Sequence, residues 1–169
     1  MYRKLKIVRI DYKYCDYLRK YDSKVAFNAG NKELRPYVGI LFNINNIEYF
    51  APFSSPKEKH KKLKNTLDIL KINEGKYGVV NFNNMIPVTK ENYIEFDLNN
   101  NDEINNKRII LMNQQLRWLN KNKNEVYKKS LLLYSLYKNN KLPINVKERC
   151  CNYILLEKIC IKYNENKND

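Results

Sequence analysis

An Asn45-Asn46 pair stands between two apolar and aromatic runs, Tyr37-Val38-Gly39-Ile40-Leu41-Phe42 and Ile47-Glu48-Tyr49-Phe50-Ala51, and no other feature restricts the fold so tightly. Asparagine tolerates positive φ, so adjacent asparagines between strand-forming residues specify a two-residue hairpin turn. The stretch from Arg35 to Lys64 therefore reads as two paired strands followed by a polar loop. The second strand is expected to leave the sheet at Pro52, after which Ser54, Ser55, Lys57 and His60, the chain's only histidine, follow within seven residues. A rigid hairpin thus presents a cationic, hydroxyl-bearing loop.

The 169 residues, 43% of them hydrophobic, suit one domain with a sizeable core, residues 1–169, with a disordered tail expected from about 164 to 169. No apolar run reaches the length of a membrane span, and Met1-Tyr2-Arg3-Lys4-Leu5-Lys6 lacks the apolar core of a signal peptide, so a cytoplasmic protein is expected. Cys15, Cys150, Cys151 and Cys160 have no metal-site spacing and read as free, mostly buried thiols.

Lys and Arg number 32 against 18 Asp and Glu, a net charge of +14 that implies a polyanionic partner. Part of this excess is compositional, since the chain is rich in Lys, Asn, Ile and Tyr throughout. Its distribution says more. Ser54 to Lys64 holds five lysines and one glutamate, and Lys107 to Arg149 eleven basic and two acidic residues. Between them, Glu91 to Glu103 carries Glu91, Glu95, Asp97, Asp102 and Glu103 and no basic residue. Such polarity favours a binding face over an evenly solvated lysine surface.

In chain order, Leu5 to Ile10 reads as a strand, and Asp11 as the cap of a helix from Tyr12 to Lys20. Tyr14, Tyr17, Leu18 and Tyr21 share one face of that helix, either as core or as a surface that stacks on bases and donates to phosphate. Residues 22–34 form a loop with turn residues Asn28-Ala29-Gly30-Asn31. Thr66 to Ile72 suits helix or strand, Asn73-Glu74-Gly75-Lys76 a turn, Tyr77–Phe82 and Met85–Val88 strands, and Tyr93–Asp97 an edge strand before a surface turn over 98–103. Three helices follow. Ile104, Arg108, Leu111, Gln115 and Trp118 mark the first, Glu125 to Tyr137 the second and Val146 to Tyr163 the third. Strands first and helices after indicate an α+β fold, helices packed on an antiparallel sheet.

The four glycines form no phosphate loop, the carboxylates form no two-metal cluster, and one histidine permits no two-histidine ribonuclease pair. Neither a metal nor a cofactor is expected. Lysine, arginine, serine and His60 remain, and that set is able to cleave RNA. The ribose 2′-hydroxyl already lies beside the phosphorus, so a protein has to align it, take its proton, stabilise the phosphorane charge and protonate the leaving oxygen. Guanidinium and ammonium groups match phosphate oxygens, and serine hydroxyls donate to them. Taken alone, Ser54-Ser55-Pro56-Lys57 also suits a plain loop or helix cap, and His60 a bond to a backbone carbonyl. A non-catalytic RNA-binding module with the same basic face is the alternative reading.

The blocks Tyr14-x-x-Tyr17-Leu18-x-x-Tyr21-Asp22-x-Lys24-Val25, Arg35-Pro36-Tyr37-Val38-Gly39-Ile40, Tyr49-Phe50-Ala51-Pro52-Phe53-Ser54-Ser55-Pro56-Lys57-x-Lys59-His60, Asn81-Phe82-Asn83-Asn84-Met85-Ile86-Pro87-Val88 and Cys151-Asn152-Tyr153-x-Leu155-Leu156-Glu157 cover nearly the whole chain. Together they resemble the ToxN/AbiQ/CptN family, endoribonuclease toxins of type III toxin–antitoxin and phage abortive-infection systems. The resemblance implies a compact, strongly twisted antiparallel sheet flanked by helices, of MazF/Kid architecture. It implies metal-independent cutting of mRNA and of a repeated RNA antitoxin precursor, leaving 2′,3′-cyclic phosphate and 5′-hydroxyl ends. It further implies inhibition by a small pseudoknot RNA in closed toxin–RNA rings, with no DNA or membrane partner. A MazF-like nuclease with a protein antitoxin is a further alternative.

Ser54, Ser55 and Lys57 match the family's hydroxyl-hydroxyl-Pro-Lys loop. Lys57 would transfer the proton or stabilise the phosphorane, the serines would orient the phosphate, and His60 would protonate the leaving group. Arg35 stands where some members have lysine, and keeps the charge as a phosphate binder. Where some members carry a tyrosine this chain has Asn31, with Tyr37 or Tyr14 as substitutes. Tyr14, Lys24, Tyr37, Lys59, Lys61, Lys62, Lys64 and Asn83 are the expected RNA contacts.

Overall fold

The computed structural model describes residues 3–27, 35–99 and 105–168. In chain order the strands are β1 (Lys6–Ile10), β2 (Tyr37–Gly39), β3 (Asn43–Ile44), β4 (Ile47–Ser54), β5 (Ile69–Lys71), β6 (Val79–Asn81), β7 (Ile86–Val88) and β8 (Tyr93–Glu95). The helices are α1 (Tyr12–Arg19), α2 (Glu58–Lys62), α3 (Asn106–Lys121), α4 (Lys123–Lys138), α5 (Ile144–Lys147) and α6 (Tyr153–Asn168). This is the α+β arrangement expected, with an antiparallel sheet ordered β5-β6-β4-β2-β1-β8 and β3 and β7 added against β4.

Asn45 and Asn46 both take left-handed backbone, φ 51° and 66°, and Asn43 Oδ1 accepts the Asn46 N–H, closing the hairpin between β3 and β4. Strand β4 then runs on through Ser54 and does not leave the sheet at Pro52. Its first half pairs with β3 and β7, its second with β2 and β6. The N–H groups of Tyr49 and Phe53 donate toward the β2–β3 side, to Phe42 O and Pro36 O. Alternation turns the Pro52 nitrogen to the opposite side, where β7 stops at Phe50 and β6 begins at Phe53. The missing proline donor falls in that gap, so a central strand accommodates it.

Tyr49, Phe50, Tyr14 and Tyr153 lie wholly inside the hydrophobic core. Buried phenols need partners, and those of Tyr14, Tyr49 and Tyr153 find them, whereas the Tyr37 hydroxyl has none among the described residues. Tyr14 donates to Pro87 O (2.6 Å), Tyr153 to Phe82 O (2.8 Å), and Tyr49 and Tyr134 share Glu157 Oε1 at 2.7 Å each. Helix α6 thereby packs on β7 and α1. All four cysteines are buried free thiols.

Three further expectations change. The Thr66–Ile72 segment, open between helix and strand, holds β5 at Ile69–Lys71, whereas the strand expected over Tyr77–Phe82 narrows to β6, followed by a 3-10 turn at Phe82–Asn84. The helix expected over Val146–Tyr163 breaks into α5 and α6, because Cys151 N–H donates to Asn83 O and Asn152 N–H to Asp22 Oδ2. Backbone donors captured by other elements cannot continue a helix, and Asn152 restarts it by accepting the Leu155 N–H. The tail expected to be disordered is helical through Asn168. Asn164 accepts from Thr89 and Asn92, and Lys167 Nζ donates to Asn92 Oδ1 while lying over the Tyr163 ring.

Asn152→Ala should lower stability by about 1 kcal/mol, the usual loss of a side-chain cap, measured by urea unfolding. An unchanged midpoint would contradict the cap.

Candidate active site

The end of β4 is held from both sides. Ser54 faces Val79 of β6 in register, and the pairing of Tyr37 with Pro52, continued by the Phe53 N–H to Pro36 O bond, brings Arg35 opposite Ser54 on the other side. Residues directly opposite in an antiparallel pair share a face, so Arg35 and Ser54 point to the same side of the sheet. Ser54 is half-buried and Ser55 exposed; Pro56 then ends the pairing and delivers Lys57.

Lys57 is the extended N-cap of α2, with φ −137° and ψ 151°, and its side chain is exposed. His60 clamps its backbone. The Lys57 N–H donates to His60 Nδ1 (3.1 Å), and the His60 N–H donates back to Lys57 O (2.8 Å). This reciprocal cap requires an unprotonated Nδ1. Burial, and next the charges of Lys59 and Lys57, push the imidazole below its ordinary value and keep it neutral. With 3% of its surface exposed, His60 serves the loop as a positioning residue rather than facing a leaving group.

Arg35 is half-buried, and its Nε, although inside the protein, has no hydrogen-bond partner among the described residues. Beneath it lies Tyr37, wholly buried against the Cys15 thiol. Burial and then Cys15 raise the phenol well above its usual range, while the nearby Arg35 charge pulls it the other way. Tyr14 is equally enclosed. Neither ring offers a face for a base, so Tyr14 and Tyr37 leave the set of RNA contacts; of the tyrosine stripe, Tyr14 and Leu18 are core while Tyr21 is exposed. Asn31 lies outside the described residues.

Lys24 is exposed beside this face. Asp22 Oδ1 accepts its N–H (3.0 Å) and its carbonyl accepts from Asn84 Nδ2 (2.9 Å), which fixes the backbone and leaves the ammonium outward. Asn83 is more constrained than a simple surface contact. Its backbone joins Asp68 and Cys151, its amide nitrogen reaches Arg149 O at 3.5 Å, and its Oδ1 is buried without a partner among the described residues. Lys59, Lys61, Lys62 and Lys64 are all exposed on or just after α2, and Lys61 pairs with Glu58 at 2.9 Å.

Two neighbours went unread in the sequence. Asp68, with none of its surface exposed, takes a forked pair of bonds from Arg149 (2.9 and 3.0 Å) and a third from Thr66 Oγ1 (2.8 Å). Burial opposes its ionisation, but these bonds outweigh it and hold the carboxyl below its usual range. The pair ties the loop after α2 to the α5–α6 junction, and a separation of 81 residues left no local signal. Among the described residues no three His, Cys, Asp or Glu side chains gather as a metal site.

Chemically, this strand end offers two hydroxyls, a half-buried guanidinium and an exposed ammonium, a set suited to a phosphodiester. Sheet, helices and loop place the chain among the toxins of type III toxin–antitoxin systems. Residues 6–161 match the family described as toxin ToxN, type III toxin-antitoxin system, and the chain belongs to that family. It is 33% identical over 160 residues to the endoribonuclease ToxN of Bacillus thuringiensis subsp. kurstaki, across 92% of this chain and 82% of the relative. Two solved structures are each matched over 96% of this chain and 99% of their own length. One, 32% identical with a TM-score of 0.81, comes from a study of selective toxin inhibition by a non-coding RNA pseudoknot. The other, 25% identical with a TM-score of 0.82, is AbiQ, a lactococcal anti-phage endoribonuclease of the type III class. No described helix is long and apolar enough to cross a membrane.

Because the folded pKa of His60 lies below its ordinary 6.5, the unfolded chain takes up this proton first as pH falls. The stability contributed by neutral His60 is therefore present above about pH 6.5 and lost below it. His60→Gln keeps an acceptor at this position without titrating. Wild type should lose urea stability faster than the variant between about pH 6.5 and 5, and curves that stay parallel would contradict the clamp.

Proposed function

We propose that this chain is a sequence-selective endoribonuclease toxin that works without a metal ion, by attack of the RNA's own 2′-hydroxyl. The observation that carries the reading is the β2–β4 register, Tyr37 opposite Pro52 with the Phe53 N–H on Pro36 O, which, carried one pair further, sets Arg35 across from Ser54, while the same strand end runs on through Ser55 to Lys57.

In this mechanism the scissile phosphate lies across the end of β4. Arg35 binds it through the exposed part of its half-buried side chain, and the Ser54 and Ser55 hydroxyls donate to its non-bridging oxygens. Lys57 stands beside the reacting atoms as proton-transfer group or as the ammonium that stabilises the phosphorane. The 2′-hydroxyl bonds to phosphorus, its proton is removed, and the 5′-oxygen departs with a proton. The products are a 2′,3′-cyclic phosphate and a 5′-hydroxyl. Lys24, Lys59, Lys61, Lys62 and Lys64 hold flanking phosphates, and Asn83 lines the same face.

The same proposal gives the chain an RNA partner in two forms, mRNA as substrate and a small repeated pseudoknot RNA as inhibitor, cut from its precursor by the toxin and held with it in a closed ring. It also places the protein in the cytoplasm, where mRNA is met, and assigns the sheet a twisted MazF/Kid-like form. The RNA inhibitor is supported by the pseudoknot system to which this chain is 32% identical.

The test is a defined mRNA incubated with antitoxin-free protein in excess EDTA. Wild type should cut at discrete positions. Lys57→Ala should be slower by about 10²–10⁴-fold, the usual range for a lost proton-transfer group, while its binding loses about one unit of salt slope. Tight binding without cleavage by wild type would favour a non-catalytic module, and full activity of Lys57→Ala would remove the assignment.

A further inference from the structure

The turn that follows β5 supplies no group to the chemistry, yet it touches both halves of the catalytic segment. Gly78 has φ 96°, and a Cβ on it would stand 1.8 Å from Ser54 O, 2.9 Å from the Ser54 carbonyl carbon and 3.1 Å from that of Ser55. Gly75 has φ 83°, and a Cβ there would stand 2.7 Å from His60 O and 3.1 Å from Lys61 N. One glycine meets the hydroxyl end of the segment. The other meets the short helix whose first turn clamps Lys57.

The two contacts are joined by a closed framework. Gly75 and Tyr77 N–H both donate to Ile72 O (3.1 Å each), Gly78 N–H donates to Gly75 O (3.2 Å), and Ile72 N–H donates to Gly78 O (2.9 Å). Outside the turn, buried Gln115 of α3 donates to Tyr77 O (2.7 Å), and Lys71 Nζ ties down Lys61 O (3.2 Å). Such a turn has little freedom to change the separation of its two glycines.

We propose that Gly75 and Gly78 are positioning residues, a spacer that sets the serine hydroxyls and the Lys57 ammonium at a fixed separation across the scissile phosphate. The proposal rests on the catalytic reading of Ser54, Ser55 and Lys57. A side chain at either glycine pushes one half of the segment away from the other while the RNA-facing lysines of α2 stay exposed. Alignment is lost before binding is.

The experiment measures single-turnover cleavage and RNA affinity for Gly78→Ala and Gly75→Ala, each checked for cooperative urea unfolding. Both folded variants should cut about 10²-fold more slowly, as a shift of roughly 1 Å at the reacting atoms does, with affinity within about threefold of wild type. A wild-type rate in folded Gly78→Ala, or affinity lost in step with rate, would overturn the proposal. If Gly78→Ala does not fold, the milder Gly75→Ala decides by the same two readouts. Lys57→Ala measured alongside separates the failures: an active Lys57→Ala sinks the catalytic reading itself, whereas an inactive one beside fully active glycine variants sinks only the spacer.

Discussion

The structure depends on one strand, β4, having partners on both edges, with a single gap at Ala51–Pro52 between β7 and β6. β4 has four partners within eight residues, β3 and β7 along its first half and β2 and β6 along its second. Partners on both sides fix where the strand stops and which way its last residue faces. Ser54 therefore ends a strand held from both sides, flanked by the approach to β2 on one side and the start of β6 on the other. A catalytic loop built on such a base inherits its rigidity.

Around that base the molecule separates what must be fixed from what must reach solvent. The backbone of Lys57 is clamped by a buried neutral imidazole, while its ammonium is exposed. Arg35 reverses the arrangement, with part of its guanidinium inside the protein above the buried Tyr37 phenol. The charge is divided in the same spirit. Among the described residues, Glu91, Glu95 and Asp97 lie in or beside β8, at one end of the sheet order, whereas the basic helix α2 leaves from β4 beside β6, toward the other. Under the proposed function, this division would steer a polyanion to the hydroxyl-bearing end.

Much of this was legible in the sequence because it is local. The Asn45-Asn46 turn, the Asp11 cap, the Asn73–Lys76 turn and the Ser54–Lys57 loop are written in adjacent residues whose conformational preferences decide the outcome. The errors arose where distant elements competed for the backbone. Periodicity carried a helix through 148–152, but Asp22 and Asn83 take the donors there; Pro52 reads as a strand end, but the gap between β7 and β6 receives it. The role of His60 was misread for a related reason: from the sequence it is a lone titratable group among lysines, and only its burial turns it into a cap. Tyr14 was ambiguous between core and surface, since a stripe shows which residues share a face and not what covers it, and Tyr37, expected as an RNA contact, is likewise covered.

The account stands on the 2′-hydroxyl being the nucleophile, aligned by this strand end. The direct measurement uses two RNAs identical except at one nucleotide, the one 5′ to a mapped cut, which carries either a 2′-hydroxyl or a 2′-hydrogen, with the new ends identified after incubation. The account predicts that the ribose substrate yields a 2′,3′-cyclic phosphate and a 5′-hydroxyl and that the deoxy substrate binds but stays intact at that position. Cleavage of the deoxy substrate at a comparable rate, or a 5′-phosphate on the ribose product, would contradict it, since either requires an external nucleophile.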